Sequence, residues 1–131
     1  MNTDKVTVIG IDVSKIKQHS TNPQYIELPF ILSCSPDETW IGICVSMYGS
    51  TKPPTNRRMF TLDNLIIIVA NLDDNLEEHK RIVEEVIIET NKKYFELLQK
   101  AKEERERTKK EMERNKARLT EFKERAKKLY Q

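Results

Sequence analysis

The chain has 131 residues, 34% of them charged, with a formal net charge of +2. That length suits one domain, and no apolar run approaches the ~20 residues that span a bilayer, which argues against a membrane-spanning helix. Two cysteines, Cys34 and Cys44, are too few for a disulfide framework, and no secretory leader pattern opens the chain, so a cytoplasmic protein with buried thiols is expected.

Residues 5–13, KVTVIGIDV, alternate apolar and polar and favour β-branched side chains, the pattern of a strand. The polar KIKQHSTNPQ that follows holds Asn22-Pro23, a turn signal. Residues 25–33, YIELPFILS, alternate again. Pro29 cannot donate to a ladder, which places this second strand at a sheet edge or at a bulge.

At SPDETWIGICVSMYG the period changes. Ser35 is placed to cap a helix, Pro36 to occupy its first position and Glu38 to close a capping box three residues on. Trp40, Ile41, Ile43, Cys44, Met47 and Tyr48 then fall on one wide helical face, with Gly49 as the stop. This face predicts that the single tryptophan lies between helix and sheet.

STKPPTNRR reads as a loop. RMFTL and LIIIVA flank Asp63-Asn64, two polar residues suited to a tight hairpin. Residues 65–69 are apolar without interruption, as expected of a central strand covered on both faces. Asn71 is a candidate cap for a helix, with Asp73 and Asp74 in its first turn, and nothing breaks that helix before Gln131.

The element order is therefore ββαββα. The expected fold is α+β: a four-stranded antiparallel sheet, covered by a short helix and the start of a C-terminal helix of about 60 residues. Residues 1–70 form the compact domain and 71–131 the helix. Of that helix, 71–98 pack on the domain through Leu72, Leu76, Val83, Val86 and Ile87, and 99–131 project as a charged coiled-coil arm. At 1.5 Å per residue such a helix is about 90 Å long.

Beyond Ile87 a new spacing takes over. Asn91, Tyr94, Leu98, Ala101, Arg105, Thr108, Met112, Asn115, Leu119, Phe122, Ala126 and Leu129 step alternately by three and four, a heptad register. Asn91 and Asn115 are polar members of it, and Arg105 and Thr108 interrupt it. Such a seam pairs chains, with a single solvated charged helix, or a tail that folds back or is disordered beyond residue 100, as the alternatives. The interface expected from the seam uses Tyr94, Leu98, Met112, Asn115, Leu119, Phe122, Ala126 and Leu129, in a homodimer by preference, with a different protein docking on the same helix as the alternative. Pairs such as Glu103–Arg107 and Glu121–Arg125 have the favourable i,i+4 order on an exposed helix.

The charge is unevenly spread. Residues 1–99 carry 10 Lys+Arg against 14 Asp+Glu, and residues 100–131 carry 13 against 7. An anionic partner is the second reading: Lys52, Arg57 and Arg58 in the loop and Lys109, Lys110 and Arg114 in the helix are the candidate nucleic-acid contacts. Glu111 and Glu113 interleave with the helical set, and no aromatic platform accompanies it.

Catalytic patterns are missing. His19 and His79 lie in different elements with no ligand partner at metal spacing, and both are expected to be solvated. Glycines at 10, 42 and 49 leave no phosphate-binding loop. No cofactor is expected, and the residues favour a non-enzymatic interaction or assembly protein over a nucleic-acid-associated one, with an enzyme of unidentified type third.

Overall fold

The computed structural model describes residues 5–19, 22–50 and 58–131, with the His19 side chain outside the description. The fold is α+β, with an antiparallel sheet, a short helix and one long C-terminal helix. Among the described residues the sheet has five strands where four were expected: β1 (Val8–Ile11), β2 (Lys17–His19), β3 (Asn22–Leu32), β4 (Met59–Leu62) and β5 (Leu65–Asn71), ordered β1-β3-β5-β4 with β2 also on β3. The helices are α1 (Glu38–Ser50) and α2 (Leu76–Lys128).

The extra strand has a local cause. β1 and β2 lie end to end along one side of β3, with a 3-10 turn, Val13–Lys15, between them. Asp12 N donates to Pro29 O at 3.0 Å, so the Pro29 main chain faces this side, where it has no N–H to offer. The neighbouring chain leaves the ladder at that place and rejoins it opposite Glu27. Pro29 therefore does not mark an edge. β3 is an inner strand, paired with β5 on its other side from Tyr25↔Asn71 to Ile31↔Leu65. The Asn22-Pro23 turn signal also falls inside β3, at its first two residues.

β5 is the other inner strand, and Leu65 to Ala70 are buried at every position. Ile66 and Ile68 face the helices within the main core, together with Leu28, Phe30 and Leu32 of β3. The β4–β5 hairpin turns on Asp63-Asn64, with Asp63 at a φ of 55°. A positive φ at the first turn residue is the pattern of a type II′ turn, which Asp tolerates better than most non-glycine residues. Asn64 O accepts from Leu32 N at 2.7 Å, tying the turn to the end of β3.

α1 begins later than its sequence punctuation suggests. Its cap is Asp37, whose Oδ1 accepts from Trp40 N at 2.9 Å, so Ser35 and Pro36 precede the helix and no capping box forms. Asp substitutes for Ser as a cap because its carboxylate also complements the helix dipole. Gly49 lies within the last turn instead of after it. Trp40, Cys44 and Tyr48 are the buried face, one helical turn apart.

α2 likewise starts after Asn71. Asn71 closes β5, and its Oδ1 accepts from Asp73 N at 2.9 Å in a local turn. The cap is Asn75, whose Oδ1 accepts from Glu77 N and Glu78 N at 3.0 and 3.3 Å. Leu72 and Leu76 consequently stay exposed, and the stripe that reaches the core is His79, Ile82, Val83, Val86, Ile87, Thr90 and Tyr94. Both helices pack on the same face of the sheet.

The chain divides into two compact units, Met1–Phe95 and Glu96–Gln131. The second consists of the rest of α2 and the last three residues, and no residue in it is buried. No helix among the described residues is long and apolar enough to cross a membrane.

Candidate docking helix

The heptad spacing runs through both units of α2, and the two put it to different uses. In the first unit its members are part of the core. Ile87 is 2% exposed and Tyr94 7%. Tyr94 donates its hydroxyl to Asp37 Oδ2, so the carboxylate that caps α1 also anchors α2.

Asn91, between them, is bonded through both its amide oxygen and its amide nitrogen. Its Oδ1 accepts from the Trp40 indole Nε1 at 2.9 Å and from Val6 N at 3.4 Å, and its Nδ2 donates to Val6 O at 2.8 Å. Seen from Val6, the side-chain amide does what a neighbouring strand would do, giving one donor and one acceptor to the main chain of the same residue. Trp40 is fully buried, so its indole N–H would be costly without this partner. Of the eight residues expected at the interface, Tyr94 is the one the core contains, and Asn91 serves the fold rather than strand register.

In the second unit the same stripe faces outward. Leu98 is 42% exposed, Met112 67%, Leu119 53% and Phe122 60%, and Asn115 and Ala126 are exposed as well. Leu129 lies one residue past the helix and is exposed. A shallow depression on this stripe is lined by Arg105, Thr108, Lys109, Met112, Glu113 and Lys116. The Arg125 guanidinium sits 5.7 Å from the Phe122 ring centre, a cation–π distance. Ion pairs on α2 occur in the first unit, as in Arg81–Glu85 at 3.1 Å and Lys92–Glu89 at 3.4 Å. Among the described residues no ion pair forms after Lys92, and the expected Glu103–Arg107 and Glu121–Arg125 pairs are not closed.

The candidate anion contacts are only partly brought together. Lys52 and Arg57 lie outside the described residues, and Arg58 is exposed one residue before β4, its carbonyl accepting from Val69 N at 2.9 Å. Lys109, Lys110 and Arg114 are exposed on the second unit.

The reactive groups of the first unit are turned on one another. His79 is buried at 2% exposure, a correction to the solvated position expected for it, and its Nε2 lies 2.9 Å from Asp74 Oδ2. The same Asp74 oxygen accepts from Asn71 N at 2.8 Å. The sequence signal was there: His79, Ile82, Val83 and Val86 share one helical face, on which histidine substitutes for an apolar residue. Cys44 is fully buried, and burial pushes its thiol from 9.0 up to about 11, partly offset by a hydrogen bond with Thr90. The described residues hold no group of three or more His, Cys, Asp or Glu side chains placed to share a metal ion.

Comparison of the chain with protein-family models, with curated proteins and with solved structures found no match.

Proposed function

We propose that this chain is a non-enzymatic interaction or assembly protein that binds another helix along the seam from Leu98 to Leu129. One observation carries the reading. The three–four spacing that places Ile87 and Tyr94 in the core continues unchanged into a stretch where every apolar member is exposed. A helix selected only for solubility has no reason to keep that spacing among so many charges. Burying Leu98, Met112, Leu119, Phe122 and Leu129 at about 25 cal/mol per Å² contributes several kcal/mol. That suffices for assembly, and Arg105 and Thr108 in the seam keep it moderate.

The test is the mass of the full chain in solution, alone and mixed with a designed helical peptide carrying leucine along its seam and glutamine beside it. A self-complex, or a complex with the peptide, that disappears on Leu119→Asp with Phe122→Asp supports the reading. A chain that stays monomeric at about 50 μM and binds no helix overturns it, since seam-driven pairing of this size is measurable in that range.

A second reading rests on the charge of residues 100–131, 13 basic against 7 acidic side chains, all exposed. It makes the same stretch a nucleic-acid contact. Affinity for a duplex would then fall steeply with salt, and reversing Arg58, Lys109 and Lys110 to Glu would abolish it.

A further inference from the structure

The seam says that a helix binds, and the residues beside it say which kind. In the heptad register the position after each of Ala101, Thr108, Asn115 and Phe122 flanks the seam on one side. Those positions are Lys102, Lys109, Lys116 and Lys123, one lysine per heptad for four heptads. The position before each of Arg105, Met112, Leu119 and Ala126 flanks it on the other side. Those are Glu104, Glu111, Arg118 and Arg125. All eight side chains are exposed, and none enters an ion pair among the described residues, so the charges that choose a partner are uncommitted.

These two columns can be tried against a second copy of the chain. In a parallel pair, each residue before the seam meets the partner's residue five positions later. Glu104 then meets Lys109 and Glu111 meets Lys116, both attractive. Arg118 meets Lys123, which repels, Lys102 faces the apolar Leu97, and Arg105 meets its own copy inside the seam. In an antiparallel pair the lysine column faces itself, Lys102 against Lys123 and Lys109 against Lys116, which cancels the attraction of Glu104 for Arg125 and Glu111 for Arg118. The parallel arrangement satisfies Lys109 and Lys116 but leaves Lys102 and Lys123 without a carboxylate, and the antiparallel one satisfies none of the four. A helix with carboxylates on both flanks meets all four of them, and Arg118 and Arg125 too, in either orientation. Only Glu104 and Glu111 oppose it.

We infer that the occupant of the seam is an amphipathic helix of a different protein, with acidic residues beside its apolar stripe, and that a second copy of this chain is the weaker partner. This rests on the reading of the seam as a helix-binding surface. The lysine column is the specificity element, and the apolar members supply the common adhesion.

The experiment uses the full chain and two fluorescent probe helices that share a leucine seam and differ only in flanking residues, glutamate in one and lysine in the other. The glutamate probe is expected to bind at least about ten-fold tighter at low salt. The difference should shrink as ionic strength rises, because exposed charge pairs are screened. Lys102→Glu, Lys109→Glu, Lys116→Glu and Lys123→Glu together should invert the preference. These are exposed positions in the second unit, so an unchanged near-ultraviolet signal from buried Trp40 confirms that the first unit is intact. Equal binding of the two probes overturns the inference, as does self-association tighter than binding of the glutamate probe; both leave the helix-binding seam standing. A duplex DNA that displaces the glutamate probe at equal concentration also overturns it. A monomer that binds neither probe removes the inference and the seam together.

Discussion

α2 carries one stripe through two environments. Up to Tyr94 its members meet α1 and the sheet, and the polar ones are bonded: Thr90 donates to Val86 O at 2.6 Å, Asn91 to Val6 and Tyr94 to Asp37. From Leu98 onward the stripe has the same spacing and no buried member. The two asparagines show the difference best. Asn91 and Asn115 are chemically identical and stand in the same stripe. One bonds the Val6 main chain ahead of β1 and the Trp40 indole, and the other is exposed. A seam position acquires meaning from what lies across from it, and substitutions in the two stretches should therefore differ in cost by an order of magnitude.

The largest effect is expected at Trp40, the buried residue that Asn91 serves. Trp40→Ala should cost about 3–5 kcal/mol in urea unfolding, the range for emptying a large aromatic site, and a midpoint that does not move would refute the burial of Trp40 between α1 and the sheet. Asn91→Ala comes next, at about 2–3 kcal/mol, because it leaves the Trp40 indole N–H and both Val6 main-chain groups without their partner. The check is the same unfolding curve, with Trp40 fluorescence as a second probe. A cost below about 0.5 kcal/mol, typical of a surface site, would erase the contrast between the two stretches.

Tyr94→Phe keeps the packing and removes only the hydroxyl that reaches Asp37. A hydrogen bond to a charged group contributes about 1.5–3 kcal/mol, and partial exposure of the Asp37 carboxylate brings the expectation toward the lower end. The variant should also loosen the start of α1, seen as faster amide exchange in its first turn, since Asp37 caps that helix.

Cys44 gives the buried stretch a pH signature. Its folded thiol titrates near 11, against 9.0 for the ordinary group. Between those values the unfolded chain has released its proton and the folded one has not. Stability is therefore fully present below about pH 9 and falls as the pH rises toward 11. The difference between wild type and Cys44→Ala isolates this from other groups titrating there. Ellman's reagent at pH 8 should correspondingly label the half-buried Cys34 before Cys44.

The α+β class, the antiparallel pairing, the buried tryptophan and the long helix were legible because each rests on a local pattern: period two in β3, an apolar face at helical spacing in α1, no breaker after Leu76. What the residues did not disclose needs the third dimension. Pro29 reads as the mark of an edge or a bulge, and its missing donor is accommodated on an inner strand by a neighbour that leaves and returns within one strand's length. Ser35 and Asn71 are as good as caps as Asp37 and Asn75 are, and tertiary contacts choose between them: Tyr94 fixes Asp37, and the Gln24 side chain holds Asn71 Oδ1 at 3.1 Å. The seam was legible as spacing, and its last buried member is Tyr94, one step before the expected limit at residue 98, because Tyr94 and Leu98 obey the same periodicity.

Asn115→Ala carries the smallest expected effect and the sharpest reading. In an isolated solvated helix, alanine is the better helix former by a few tenths of a kcal/mol, so the variant should unfold at the wild-type midpoint or slightly above it. No buried group loses a partner, since Asn115 is exposed. Were two copies paired in register, Asn115 would meet its own copy across the seam, and replacing it would relax that register. The melting temperature would then shift with protein concentration, and would shift differently in the variant. Thermal unfolding of both proteins at about 5 and 100 μM distinguishes these cases, because dimer stability depends on concentration and monomer stability does not. A concentration-independent pair of curves fits a seam that waits for a different, acidic helix. Curves that separate with concentration return the seam to a second copy of the chain.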